Sequence, residues 1–187
     1  MLAGGRSSRF GRDKLAEPFR GAPLLHHAVA RVGELCAEVI VVLAPGTRAP
    51  DLPSGARFAR DSAEGLGPLA GLIAGLESAR SELAIVVGGD MPDVQTRVLL
   101  EMVRALRSSS SSAVVLHDGT DARPLPLAVR TGDAARAART LLDAGRRRLR
   151  DLLDALPVVV VDEPTWTALD RDRRSLFDVD VPGDLPS

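Results

Sequence analysis

The chain has 187 residues, 45% hydrophobic and 26% charged, with a formal net charge of −1; that balance buries a core within one domain and excludes overall disorder. The near-neutral charge leaves no global field for nucleic acid, and 3% aromatic residues with no Tyr leave few platforms for stacking single-stranded bases. Cys36 as sole cysteine excludes an intrachain disulfide and a thiolate metal cluster. No apolar run approaches the ~18 residues of a membrane span, and no signal-peptide pattern opens the sequence, so a cytoplasmic protein using neither nucleic acid nor membrane is expected.

The first residues, Met1-Leu-Ala, lead into Gly4-Gly-Arg-Ser-Ser-Arg-Phe-Gly-Arg-Asp-Lys14. Glycines let backbone N–H groups turn toward a ligand, and the cations supply the charge that a polyphosphate needs. Neither GxxxxGK[ST] nor GxGxxG is matched, because Asp13 precedes Lys14 and Leu15 follows it; a solvated basic loop is the alternative reading. After a turn-rich crossing at 15–22, Pro23 suits the first turn of a helix with Leu25, Ala28, Val29, Val32 and Cys36 on one face. His26 and His27 are adjacent and His117 is remote, so structural roles fit them better than a metal site.

Residues 38–43 are apolar and β-branched in succession, as in a strand covered on both faces. A proline- and glycine-rich loop leads to a short strand at 58–60, and Asp61 opens a second polar loop. Pro68 begins a helix facing inward through Leu69, Leu72, Ile73 and Leu76. The run 83–87 predicts another buried strand, ending in Gly88-Gly-Asp-Met-Pro92. A helix over 94–107 follows, then a serine loop and a strand at 113–116. Pro124 and Pro126 push the run 125–129 toward a sheet edge. Helices at 133–144 and 147–155 break at Gly145, a strand spans 157–161, a short one 176–179, and a turn 182–185. Strands alternating with helices predict one α/β domain over 1–187, a Rossmann-like three-layer sandwich with a mostly parallel sheet.

Open parallel sheets collect ligands beyond the C-terminal ends of their strands. The glycine loop, Asp61 and Asp90 all fall there. Asp90, on a tight turn, is well placed to hold Mg²⁺, which takes one or two protein carboxylates together with phosphate oxygens and water. The alternative, a helix cap, is a task that Asp93 can perform.

Residues 2–14 resemble the signature loop of the MobA-like nucleotidyltransferases, the molybdenum cofactor guanylyltransferases. The resemblance continues in Gly21-Ala-Pro-Leu-Leu25, Asp61, Gly67-Pro-Leu-Ala-Gly71, Gly89-Asp-Met-Pro92, Pro124-Leu125 and Phe177-Asp-Val-Asp-Val-Pro182. It implies transfer of GMP from Mg·GTP to the terminal phosphate of molybdenum-bearing molybdopterin, with release of pyrophosphate. It further implies backbone contacts to the nucleotide from Leu2, Ala3, Gly4 and Gly5, phosphate binding by Lys14, Asp61 at the nucleotide site, and Mg²⁺ on Asp90. Lys14, with Arg9 or Arg6, is expected to neutralise the leaving pyrophosphate. Arg147 and Arg148, within Gly145-Arg-Arg-Arg-Leu-Arg150, are candidates for seating the acceptor phosphate, although such runs are also common as solvated faces. Passing contacts with a molybdoenzyme or a cofactor-delivery protein are expected.

Three departures from the family pattern stand out. Only Met1-Leu2-Ala3 remain of the apolar strand that precedes the loop, so a truncated first strand, a gap beside it and a start upstream of Met1 are expected. Apolar Val42-Leu43-Ala44 replace a polar residue, which weakens a base contact. Asp178 and Asp180 stand where some members carry Asn, and Asp180 becomes a candidate support for the metal. The rival readings are cytidylyl transfer to the same cofactor, disfavoured by Leu2-Ala-Gly-Gly5 and Gly67–Gly71, and a non-catalytic nucleotide-binding module, disfavoured by the presence of both Lys14 and Asp90.

Overall fold

The structure, a computed structural model, describes residues 1–3, 13–61 and 66–185. A 3₁₀ turn (Lys14–Ala16) leads into a small hairpin of β1 (Pro18–Phe19) and β2 (Ala22–Pro23). Its two turn residues, Arg20 and Gly21, have φ of 48° and 86°, the doubly positive backbone that a two-residue hairpin turn requires. Helix α1 (Leu24–Gly33) buries Leu25, Ala28, Val29 and Val32, as its spacing predicts. Pro23 pairs in β2 instead of entering the helix, and Cys36 lies past the helix end.

Strands β3 (Val39–Leu43) and β4 (Ala56–Arg60) pair in parallel. Helix α2 (Pro68–Ser78) leads to β5 (Leu83–Val86), and α3 (Thr96–Arg107) to β6 (Ala113–His117) and β7 (Ala122–Arg130). Then come α4 (Thr131–Asp143), α5 (Leu149–Ala155), β8 (Val158–Val161) and α6 (Glu163–Thr167). The second set of strands is ordered β5-β7-β6-β8; β7 is antiparallel to β5 and β6, and β8 is parallel to β6. β7 alone runs against the rest.

Residues 1–3 join the two sets. Leu2 forms parallel bridges to Val42 and to Gly88. The Met1 amine donates to the Ile40 carbonyl at 2.8 Å, Val42 N–H donates to Met1 C=O and Ala3 N–H to Val42 C=O, each at 2.9 Å. On the other side, Leu2 N–H donates to Val87 C=O and Gly89 N–H to Leu2 C=O, each at 2.9 Å. Residues 1–3 are thus central in the sheet.

Alternate strand residues feed two cores, as the period of two demands. Val41, Val87, Val114 and Leu116 pack with α1, α3 and Trp166 of α6. Val86, Ala113, Val115, Leu127 and Val129 pack with α2, α4 and α5. The result is the three-layer α/β/α sandwich that the alternation predicts.

Two sequence expectations fail for identifiable reasons. β7 is nine residues long and lies between β5 and β6, not at an edge. The register against β6 jumps from Val115↔Leu127 to Leu116↔Arg123, so Pro124 and Pro126 sit in a bulge where no ladder N–H is required. Residues 176–179 form no strand; they follow a 3₁₀ turn (Arg174–Leu176), and Val179 joins Phe19 and Leu24 in a small apolar cluster. Helix α6 and the β1–β2 hairpin are additions to the expected elements.

Candidate active site

Three strand ends and the first residues meet at one edge of the sheet. Asp61 follows β4 directly, its N–H donating to Leu43 C=O at 3.0 Å. Gly71 of α2 packs against Leu2, Val42 and Asp61. Asp90 stands in the turn after β5, beside Leu2. A Cβ on Gly88 would collide with the Asp90 carboxylate, and one on Gly89 would press on Leu25 and Leu15 at 3.2–3.4 Å. Gly88 therefore lets this carboxylate fold back over its own strand end, and Gly89 lets Leu25 and Leu15 pack close to the turn.

Lys14 lies on Asp90. Its Nζ donates to Asp90 Oδ2 at 2.6 Å and to Val179 C=O at 2.9 Å, with Asp180 Oδ1 3.7 Å away. The side chains of Lys14 and Asp90 are 17% and 25% exposed, enclosed enough for the pair to be well ordered and open enough for a ligand to reach it. Val179 N–H also donates to Asp90 C=O at 3.0 Å, so the C-terminal segment is stitched to the turn. Asp178 adds negative charge: partial desolvation, then the nearby Asp180 and Asp90, raise its carboxyl above the usual range. One ammonium thus sits among carboxylates that repel one another.

The N–H groups of Leu2 and Ala3 are committed to the neighbouring strands. Gly4, Gly5, Arg6 and Arg9 lie outside the described residues. Arg147 and Arg148 lie in the connection between α4 and α5, where Arg147 C=O accepts from Leu69 N–H at the start of α2. Arg147 donates to the carbonyls of Leu142 and Arg146 at 2.9 and 3.0 Å, and its own carbonyl touches Gly67. Arg148 is exposed. The cationic run at this helix start is tolerated because Asp151 accepts from Arg148 N–H and from the Arg146 side chain, restoring a carboxylate where the helix dipole favours one.

Asp93 does not cap α3, whose N-cap is Gln95. It accepts both guanidinium nitrogens of Arg20, at 2.7 and 3.0 Å, and its side chain is only 8% exposed. Arg20 also lies over the Phe19 ring, 4.7 Å from its centre. This fork fastens the hairpin behind Lys14 to the loop that carries Asp90. Sequence patterns do not reveal it, because the partners are 73 positions apart. Arg20→Ala leaves an enclosed carboxylate with, among the described residues, Arg174 at 3.9 Å as its remaining ion-pair partner, and about 2 kcal/mol of lost stability, a fall in Tm of roughly 4–8 °C, is expected in thermal unfolding.

His26 and His27 bond to the carbonyls of Asp51 and Phe19, the structural roles expected of them. Among the described residues no group of three or more His, Cys, Asp or Glu side chains is arranged to hold a metal by itself, and no helix is long and apolar enough to cross a membrane.

Residues 1–160 match the MobA-like NTP transferase domain. A protein of Chloroflexus aggregans named "Probable molybdenum cofactor guanylyltransferase" is 37% identical, over 99% of this chain and 89% of its own. One of the same name from Mycobacterium bovis is 36% identical, over 89% and 85%. Among solved structures, molybdopterin-guanine dinucleotide biosynthesis protein A of Archaeoglobus fulgidus superposes with a TM-score of 0.79 at 22% identity, over 98% of this chain and 92% of the other. The 2-C-methyl-D-erythritol 4-phosphate cytidylyltransferase of Thermus thermophilus gives 0.71 at 20%, over 98% and 92%. With its sheet, its glycine turn and the carboxylate–lysine pair at the sheet edge, the chain belongs to the MobA-like NTP transferase family and is a nucleotidyltransferase.

Proposed function

We propose that the protein transfers GMP from Mg·GTP to the phosphate of molybdenum-bearing molybdopterin, forming the guanine dinucleotide of the cofactor and pyrophosphate. The observation that carries this reading is the contact of Lys14 with Asp90 at the C-terminal edge of the sheet, in a chain 36–37% identical to proteins named as guanylyltransferases.

The donor set suits Mg²⁺. Asp90 and Asp180 already flank one cation, the Lys14 ammonium, and they offer hard oxygen ligands with room left for phosphate and water. Bound there, Mg²⁺ would lower the charge on the α-phosphate. The nucleotide lies beside residues 2–5 and Asp61, and since the Leu2 and Ala3 N–H groups bond to neighbouring strands, Gly4 and Gly5 are the amides proposed as its donors. Lys14 turns from Asp90 to the triphosphate, and with Arg9 it balances charge on the departing pyrophosphate. The acceptor is itself an anionic phosphate, so no strong base is needed to prepare it. Positioning in line with the leaving group is the main task.

Arg147 and Arg148 are proposed to seat the acceptor phosphate. Charge removal at both, as R147Q/R148Q, is expected to raise the acceptor KM about tenfold while leaving the GTP KM within about twofold, as loss of uniform binding does. Steady-state kinetics with each substrate varied in turn test this; unchanged acceptor KM removes the two arginines from the site. The reading itself is tested by incubating labelled GTP with Mg²⁺ and metal-loaded molybdopterin and recovering GMP linked to the pterin. Failure to recover that product in the presence of active acceptor contradicts it.

A further inference from the structure

Strands β5 and β6 both run antiparallel to β7, so the β6–β7 turn lies at the same edge of the sheet as Asp90. Val86 and Val115 both stand opposite Leu127, and the register jump then brings Arg123 opposite Leu116. Arg123 is thus level with the start of the glycine turn over which the Asp90 carboxylate folds back. The C-terminal segment closes the other side, where its 3₁₀ turn packs on β7. Desolvation, then Asp180 and Asp90, raise the Asp178 carboxyl, and Arg123 is near enough to act against them. The donor half of the reaction leaves this cation unengaged.

Its guanidinium is only partly satisfied. Among the described residues Nη1 alone is engaged, on Asp118 Oδ2 at 3.3 Å, and Nε is closed off from solvent with no acceptor. Asp118 does not depend on this contact. Its Oδ1 accepts from Thr120 and Asp121 N–H at 2.9 and 2.8 Å, and these backbone bonds, ahead of Arg123, hold its carboxyl below the usual range. An arginine whose task was to fasten the turn would not leave a buried N–H unpaired, because such a group is costly. Nε and Nη2 together form the edge by which a guanidinium takes two oxygens of an oxyanion side-on.

We propose that Arg123 is a ligand for the phosphate of the acceptor, gripping two of its oxygens through Nε and Nη2 from the β7 side of Asp90. This assignment rests on the guanylyl-transfer reading and adds to it the group that orients the attacking phosphate. Leu2, which leads into the glycine loop, flanks Gly88 on one side, and β7 flanks β5 on the other. Asp90 therefore stands between Arg123 and the loop assigned to the leaving pyrophosphate. In-line transfer puts the attacking group on the side away from the leaving group, which is the side of Arg123. With two phosphate oxygens held in the fork, the third is left to attack. The cationic run of α5 reaches the same place, since Arg150 donates to Ala122 C=O at 3.2 Å.

The test measures acceptor kinetics, and equilibrium binding of molybdopterin to the nucleotide-free protein, for the parent, R123Q, R123K and D118N. R123Q is expected to raise the acceptor KM and the molybdopterin Kd about tenfold each, with the GTP KM within about twofold of the parent. R123K keeps the charge but not the fork, and is expected to raise both by about threefold. D118N removes the partner of Nη1 and leaves the gripping edge in place, so both stay within about twofold. Unchanged KM and Kd in R123Q overturn the proposal. An equal rise in D118N also overturns it, since Arg123 would then act only through the turn. Where R123Q does not fold, R123K decides, and values at the parent's level overturn the proposal. A parent that binds molybdopterin but forms no guanylylated product contradicts the guanylyl reading alone, and the Kd of R123Q still tests the grip. A parent that neither binds molybdopterin nor turns over overturns both.

Discussion

Asp90→Asn is expected to lower turnover by about 10³-fold or more, because it removes a charged ligand from a site where Mg²⁺ supplies several kcal/mol of transition-state stabilisation. The fold should be almost untouched. Asn keeps an oxygen for Lys14 Nζ, now 2.6 Å from Oδ2, and the backbone carbonyl still accepts from Val179 N–H. Asn also fits the space above Gly88 and Gly89, since it has the same shape. A shift in Tm of no more than about 2–4 °C is therefore expected, the size of a change of about 1 kcal/mol in a chain of this length. Activity kept within tenfold of the parent, in protein of unchanged Tm, removes Asp90 from the metal role.

Lys14→Ala separates two effects that most active-site variants confuse. In the free protein the ammonium lies on Asp90 with Asp180 beside it, in the place where a divalent cation is proposed to bind. Removing it abolishes a competitor for those carboxylates, so the affinity of the nucleotide-free protein for Mg²⁺ should rise. Turnover should still fall by about 10²–10³-fold, the usual cost of losing a preorganised donor to developing charge. Calorimetric titration with Mg²⁺ and single-turnover kinetics measure the two separately. A purely structural lysine predicts lower stability and no gain in Mg²⁺ affinity. Weaker Mg²⁺ binding in the variant contradicts the exchange of Lys14 for metal.

Much of the framework is legible in local pattern. Leu69, Leu72, Ile73 and Leu76 recur at helical spacing and line the inward face of α2; the apolar runs of β3, β5 and β6 read directly as strands, β3 and β6 buried along most of their length and β5 half-buried up to Val86. Asp90 is legible because a strand that ends in two glycines and a carboxylate leaves few other placements. What escapes is long-range. The contact of Lys14 with Asp90 joins positions 76 apart, and that with Val179 positions 165 apart; no local period encodes either. Residues 176–179 look like a strand, yet Val179 is recruited into the cluster of Phe19 and Leu24, which carries its carbonyl to Lys14. The prolines of β7 argue for an edge until the register jump against β6 supplies a place where their missing donors cost nothing.

The central claim is tested most directly by supplying each of the four nucleoside triphosphates with Mg²⁺ and metal-loaded molybdopterin and measuring pyrophosphate. The account predicts release with GTP that depends on the acceptor, with little or none from ATP, CTP or UTP. Release with CTP and not GTP, or with no nucleotide at all, contradicts it.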